Sequence, residues 1–281
     1  MNKLEQVLRI GIIQTNVDNK TAWCEKGNLQ DKMNSESADM VMDEIRRGFK
    51  EFYEQGKDAP RIVLIPEYSI PHNGMKRIKK FAQAIDAVTI GGCDLFTDTK
   101  YAQNKGIIFI PNSWPKLEPA YGCNQQYFGK YFYARNELEW FKKLNKEPKS
   151  ENLCYIINAG LYGNIGIAIC ADFYDLERFV IYKGRIHHLI IIAYNKDKHS
   201  FGFLAEAISR LLFCNVVICN TGHYGDSLAF SPYSDEYKRI IYKNSGPEIF
   251  ASQVIELPVH QLDIEQTCAG LSSTSTKKNP I

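Results

Sequence analysis

Short runs of consecutive apolar residues, rich in valine and isoleucine, recur from end to end of the chain, and the stretches between them carry apolar residues at three- or four-residue steps. Such runs read as strands. Their alternation with helical spacing predicts an α/β or layered α+β fold. Strands are expected over residues 8–14, 61–65, 87–91, 106–111, 163–170, 188–194 and 216–220. Between the first two, residues 35–55 place Ala38, Val41, Ile45, Phe49 and Phe52 on one stripe of an amphipathic helix, with Ser35 as its cap. A second packing helix over residues 200–213 is expected to turn Phe203, Ala207, Leu211 and Leu212 toward the core. After Gly225, short extended segments alternate with the turn signals Asp235-Glu236 and Asn244-Ser245-Gly246-Pro247, the pattern of a closing antiparallel hairpin. No internal repeat and no proline- or glycine-rich linker divides the chain. A single domain over residues 1–269 is expected, followed by a serine-, threonine- and lysine-rich tail over 270–281 with little fixed structure.

Composition narrows the function classes. Over 281 residues, 44% are hydrophobic and 23% charged, which is ordinary globular usage. The net charge of +2 gives no reason to expect a nucleic-acid surface, and Lys76-Arg77-Ile78-Lys79-Lys80 reads as a solvated helix face. No stretch approaches the roughly 18 uninterrupted apolar residues of a membrane helix. The opening Met1-Asn2-Lys3-Leu4-Glu5-Gln6 lacks the apolar core and cleavage site of a signal peptide, so a cytoplasmic protein is expected. Eight scattered cysteines without paired C-x-x-C spacing are expected to be free thiols, with no structural zinc. His72, His187 and His188 have no nearby acid pairs and read as ordinary histidines, so no metal is expected. Gly91-Gly92 makes no G-x-G-x-x-G fingerprint, and no cofactor is called for.

Three residues carry candidate chemistry. Cys170 ends the apolar run Asn164-Ile165-Gly166-Ile167-Ala168-Ile169 and is followed at once by Ala171-Asp172-Phe173-Tyr174-Asp175, so the thiol is expected where a buried strand meets a helix start. There the unpaired amides and the positive end of the helix dipole favour the thiolate. Glu67 closes the run Arg61-Ile62-Val63-Leu64-Ile65-Pro66, where a proline stops the ladder and a carboxylate leaves the sheet. Lys130 sits among aromatics in Tyr127-Phe128-Gly129-Lys130-Tyr131-Phe132-Tyr133. Each residue alone is common in an unremarkable role: a core cysteine, a surface acid, a lysine stem crossing an apolar surface. Together they supply a nucleophile, a proton acceptor and a fixed cation, the minimum for covalent acyl transfer. The carboxylate takes the thiol proton and later activates water, while the ammonium, with the backbone N–H of Ala171, balances the oxyanion.

With these residues in this order, the chain resembles the nitrilase, or carbon–nitrogen hydrolase, superfamily from Arg9 to Val259. The opening L-R-I-G-I-I-Q-T-N looks like the family's first strand, I-V-L-I-P-E like its glutamate motif and G-I-A-I-C-A-D-F like its cysteine motif. The 63 residues from Glu67 to Lys130 and the 40 from Lys130 to Cys170 agree with the family spacing. Glu137 matches a second, supporting glutamate, and Gly91-Gly92 and Asn220-Thr221-Gly222 are further matches. Two positions depart from the pattern. Phe132 stands where many members have histidine, and Ala171-Asp172-Phe173-Tyr174-Asp175-Leu176 replaces Tyr-Asp-Arg-Phe-Pro-Glu, so the substrate assignment does not carry over, and these positions do not favour a nitrile.

The resemblance implies a four-layer αββα sandwich and a homodimer or higher homo-oligomer. It implies an amidase-like activity on a small-molecule amide, through a thioester on Cys170 with Glu67 as base and Lys130 at the oxyanion, and it places Tyr194 and Asn195 at the pocket. Phe179, Val180 and Tyr182 are either dimer contacts or core. Acyl transfer to an amine, ammonia supply to a partner synthetase, and a catalytically silent binding or assembly module are the competing readings. The natural substrate depends on loops such as 112–126 and 221–237.

Overall fold

The computed structural model describes residues 4–115 and 121–271. Twelve strands build two six-stranded sheets: β1 (Val7–Gln14), β2 (Ile62–Ile70), β3 (Val88–Cys93), β4 (Lys105–Pro111), β5 (Cys123–Gly129), β6 (Tyr155–Asn158), β7 (Asn164–Ile169), β8 (His188–Ala193), β9 (Asn215–Asn220), β10 (Ser227–Phe230), β11 (Ile240–Asn244) and β12 (Ala251–Pro258). The longer helices are α1 (Ser35–Glu54), α2 (Met75–Ala84), α3 (Arg135–Lys143), α4 (Leu176–Tyr182), α5 (Lys198–Leu212) and α6 (His260–Leu271). The first sheet has the order β12-β1-β2-β3-β4-β5 and the second β6-β7-β8-β9-β10-β11. Each sheet, read in that order, runs antiparallel, parallel, parallel, antiparallel, antiparallel. The two halves therefore repeat one topology without a repeat visible in the sequence.

The sheets pack face to face. Leu8, Ile10, Ile12, Ile62, Leu64, Val88 and Ile90 from the first join Ile165, Ile167, Ile169, Ile190 and Val217 from the second in one buried cluster. On the outer face of the first sheet, Val41, Ile45, Phe49 and Phe52 of α1 and Ile78 of α2 cover Ile13, Val63, Ile65 and Ile107. On the second, Phe201, Ala205, Ile208 and Leu212 of α5 join the inter-sheet cluster. The result is the αββα sandwich expected from the sequence. Every residue of β2, β8 and β9 is buried, because these central strands have a layer on each side, and that is why Ile62–Ile65, Leu189–Ala193 and Val216–Cys219 within them read as unbroken apolar runs.

Several local expectations are corrected. The stripe of α1 is as expected, but its cap is Asn34, whose Oδ1 accepts from the Ser37 amide, rather than Ser35. In α5 the buried set is Phe201, Ala205, Ile208, Ser209 and Leu212, while Phe203 and Leu211 are 75% and 68% exposed. Apolar residues occur on both sides of this helix, so the spacing alone admitted a second stripe about half a turn away. Phe179 and Tyr182 are core, and only Val180 of that trio faces out. No α-helix begins at Cys170; a 3₁₀ turn, Cys170–Tyr174, intervenes, and α4 starts after its own cap, Asp175. The hairpin after Gly225 is β10 and β11. β12, which follows the second turn signal, crosses to pair with β1 of the other sheet. Gly270 and Leu271 belong to α6, and residues 272–281 lie outside the described region, as do 116–120 of one expected pocket loop. Among the described residues, no helix is long and apolar enough to cross a membrane, and Cys24, Cys93, Cys123, Cys154, Cys170, Cys214 and Cys219 are free thiols.

Candidate active site

The carboxyl ends of the parallel strands of both sheets meet at one end of the sandwich, the place where open α/β sheets gather ligands. Glu67 lies within β2 at a break in register between Ile65 and Ile70, and the next residue, Tyr68, has φ of 60°. This kink lifts the glutamate out of the ladder. It also brings the Glu67 backbone against β3 at Gly92, where an added Cβ would lie 2.3 Å from Glu67 Cα, so only glycine fits. Cys170 follows β7 with φ of 43°, a left-handed turn that sets its side chain at the strand end. Tyr194 and Asn195 follow β8, Lys130 follows β5, and Asn104 precedes the antiparallel β4.

Lys130 is 1% exposed and lies between two carboxylates, with Nζ 2.8 Å from Glu67 Oε1 and 2.6 Å from Glu137 Oε2. Glu137, in the first turn of α3, also accepts from the Ala134 amide at Oε2 and from Tyr68 Oη and Asn104 Nδ2 at Oε1. Asn104 Nδ2 donates to Glu67 Oε1 as well, at 2.6 Å, and the Tyr194 amide donates to Glu67 Oε2 at 2.8 Å. A carboxylate offers about four acceptor positions. Glu137 has all four filled by protein donors; Glu67 has both on Oε1 filled and one of two on Oε2, counting the described residues. A proton arriving at this cluster has one place to settle, Glu67 Oε2. Lys130, with three N–H groups, spends two on the carboxylates and, among the described residues, keeps one.

The electrostatics agree with this count. Burial pushes the Glu67 carboxyl above the usual carboxylate range, and Glu137 adds to that against the pull of Lys130. Burial acts on Glu137 too, but Lys130 and the surrounding donors outweigh it and hold its carboxyl below the usual range. Lys130 stays charged because the two glutamates more than offset its desolvation. The Cys170 thiol is pushed up, first by burial and then by Glu67, with Lys130 and the Tyr194 amide opposing. This reverses the sequence-based expectation of a thiolate held by a helix terminus. The resting thiol keeps its proton, and a base next to it has to take that proton.

Cys170, Glu67 and Glu137 share the wall of one cavity of about 200 Å³ with Tyr68, Tyr194 and Tyr224. Lys130 lies directly behind Glu67 and Glu137. Asn195 is also on the wall, but its side-chain oxygen accepts from the Asp197 amide, while Asn220 clamps its backbone on both sides. Tyr194 contributes its ring and its amide; its hydroxyl is committed to Val17 O and Asn19 N. Ala171 is the first residue after Cys170 in the 3₁₀ turn, where the amide has no partner within the turn.

The sequence reading did not pick out Asn104, Tyr68 or Asp172. Asp172 accepts from the amides of Tyr131 and Phe132 and, backed by Arg178 at 3.6 Å, ties the cysteine turn to the segment after Lys130. Phe132, at the family's histidine position, uses its backbone in that tie. The only signal for Asp172 was an acid two residues past the cysteine. Asn104 is a polar residue beside an apolar run, indistinguishable in sequence from an ordinary strand end.

No protein-family model and no curated protein sequence matches the chain. Solved structures do. XC1258 of Xanthomonas campestris, a CN-hydrolase superfamily protein with an arsenic adduct in its active site, aligns over 97% of this chain and 99% of its own, at 13% identity and TM-score 0.66. Saccharomyces cerevisiae Nit3, of branch 10 of the nitrilase superfamily, covers 97% of both chains at 14% identity and TM-score 0.61. The amidase of Nesterenkonia sp. AN1 covers 94% of this chain and 95% of its own at 12% identity and TM-score 0.64, in a variant carrying the acetamide moiety of fluoroacetamide at the active-site cysteine. These likenesses establish a nitrilase-like fold over nearly the whole chain, shared with carbon–nitrogen hydrolases.

Proposed function

We propose that the protein hydrolyses a small amide through a thioester on Cys170. The observation that carries this reading is the convergence of a thiol and a carboxylate with one open acceptor position on the wall of one cavity, with an ammonium directly behind the carboxylate that has one N–H without a partner among the described residues. Glu67 takes the proton of Cys170 at Oε2 as sulfur attacks the amide carbon. The oxyanion forms opposite the third N–H of Lys130 and the Ala171 amide. As the C–N bond breaks, the proton on Glu67 passes to the nitrogen, which leaves as ammonia or an amine. Water then gives a proton to Glu67, its oxygen attacks the thioester carbon, the C–S bond breaks, and the Glu67 proton returns to sulfur as the acid departs.

Glu137 stays ionised throughout, since no acceptor position on it is open, and it keeps Lys130 charged after Glu67 is protonated. The cavity of about 200 Å³ suits a small acyl group. The fold is shared with an amidase that carries a covalent adduct at its active-site cysteine, which supports thiol chemistry on an amide. The test is ammonia or amine release from a panel of short-chain amides. The wild type turns over at least one of them and Cys170→Ala none; a Cys170→Ala variant with the wild-type rate ends this reading.

A further inference from the structure

We infer that Asn104 is a positioning residue that confines the mobile proton to the face of Glu67 turned toward Cys170. The inference rests on the hydrolase reading of the site and adds a residue to it. Asn104 is buried at 1% exposure, and its amide nitrogen spans the two carboxylates, 2.6 Å from Glu67 Oε1 and 3.0 Å from Glu137 Oε1. Its backbone carbonyl accepts from the Lys130 amide at 3.0 Å. One residue therefore touches all three charged members of the cluster.

The consequence follows from counting protons. An amide NH₂ has two N–H groups and no acceptor capacity, so each carboxylate oxygen facing it must remain an acceptor. Without that group, Glu67 Oε1 and Glu137 Oε1 each lose one donor, and each becomes a second place for a proton to rest. A proton parked there sits on the oxygens held by Lys130, Tyr68 and Asn104, not on Oε2, the oxygen that shares the Tyr194 amide with the Cys170 thiol. The amide also stabilises the ionised form of Glu67, since its hydrogen bond lowers that carboxyl against the upward push of burial. Asn104 accordingly does two things: it keeps Glu67 ionised to lower pH, and it leaves Oε2 as the open position. Its own Oδ1 has no partner among the described residues. Burying an unpaired acceptor costs stability, and the site carries that cost because rotating the amide would swap a donor for an acceptor between two carboxylates.

The experiment reads the thiol directly and does not depend on finding a substrate. The rate of alkylation of Cys170 by iodoacetamide is followed by peptide mass spectrometry from pH 4.5 to 9 in wild type, Asn104→Ala and Asn104→Leu. Reactivity requires Glu67 to be ionised or to have taken the thiol proton, so it falls away on the acid side. Losing a hydrogen bond to a charged group moves that acid limb up by about one to two pH units in Asn104→Ala. Asn104→Leu nearly preserves the volume and keeps the backbone carbonyl but adds no charge and offers neither carboxylate an N–H, so it shifts the limb as far. If Asn104 merely fills space, Leu restores the wild-type profile and Ala scales the rate without moving the limb; either result overturns the inference. A wild-type Cys170 that alkylates no faster than the other cysteines overturns the hydrolase reading instead, and the two failures are thereby distinguished.

Discussion

Replacing Lys130 with methionine tests the buried charge cluster. The side chain is nearly isosteric, so packing is kept while the ammonium disappears from between Glu67 and Glu137, 2.8 and 2.6 Å away. Removing one partner of a buried ion pair leaves uncompensated charge and typically costs about 3–5 kcal/mol, or roughly 6–20 °C in Tm at about 2–4 °C per kcal/mol. The loss has a definite pH dependence. In the wild type, Glu137 is held below its ordinary value, so its contribution is present above the ordinary carboxylate range and is lost as pH falls. In the variant, burial without the lysine raises that carboxyl, and a raised carboxyl favours folding at low pH and disfavours it as pH rises through the new value. Both changes act in one direction. The stability gap between wild type and Lys130→Met is therefore widest near pH 8 and narrows toward pH 5. Thermal or urea unfolding at those two pH values measures it, and a gap that is absent, or equal at both, refutes the electrostatic account.

Gly92→Ala places a methyl 2.3 Å from Glu67 Cα, so it displaces the kink in β2, costs about 1–3 kcal/mol and lowers amide turnover at least tenfold; an unaffected variant contradicts the assigned role of Gly92. Phe201→Ala costs about 3–5 kcal/mol and Phe203→Ala within about 0.5 kcal/mol, because 3% and 75% of these side chains are exposed, and equal losses would mean that α5 packs through another face. We also propose a homo-oligomer, in which the exposed Val180, Phe203 and Leu211 are candidate contact residues; light scattering at micromolar concentration that gives a monomer counts against it.

What could be seen in the sequence follows from how each residue acts. The central strands were legible because both faces are buried, which leaves no polar alternation to confuse the reading. β5, with Asn124, Gln125 and Gln126 exposed at the sheet edge, and β6, with alternate residues exposed, were not read as strands. Glu67, Lys130, Glu137 and Cys170 stood out through motif order. The thiol's electrostatic state did not, because it depends on burial and on the Glu67 charge rather than on its place after a strand. Asn104 and Asp172 were invisible for a related reason: their partners lie 33 to 41 residues away, and only folding brings them together.

In the proposed reaction Cys170 forms and loses a bond to an acyl carbon. Acid-quenched peptide mass spectrometry, taken within the first turnovers on short-chain amides, tests it most directly. An added acyl mass is expected on the peptide containing Cys170, and none in Cys170→Ala. An unmodified Cys170 during active turnover, or the acyl mass on a different residue, contradicts it.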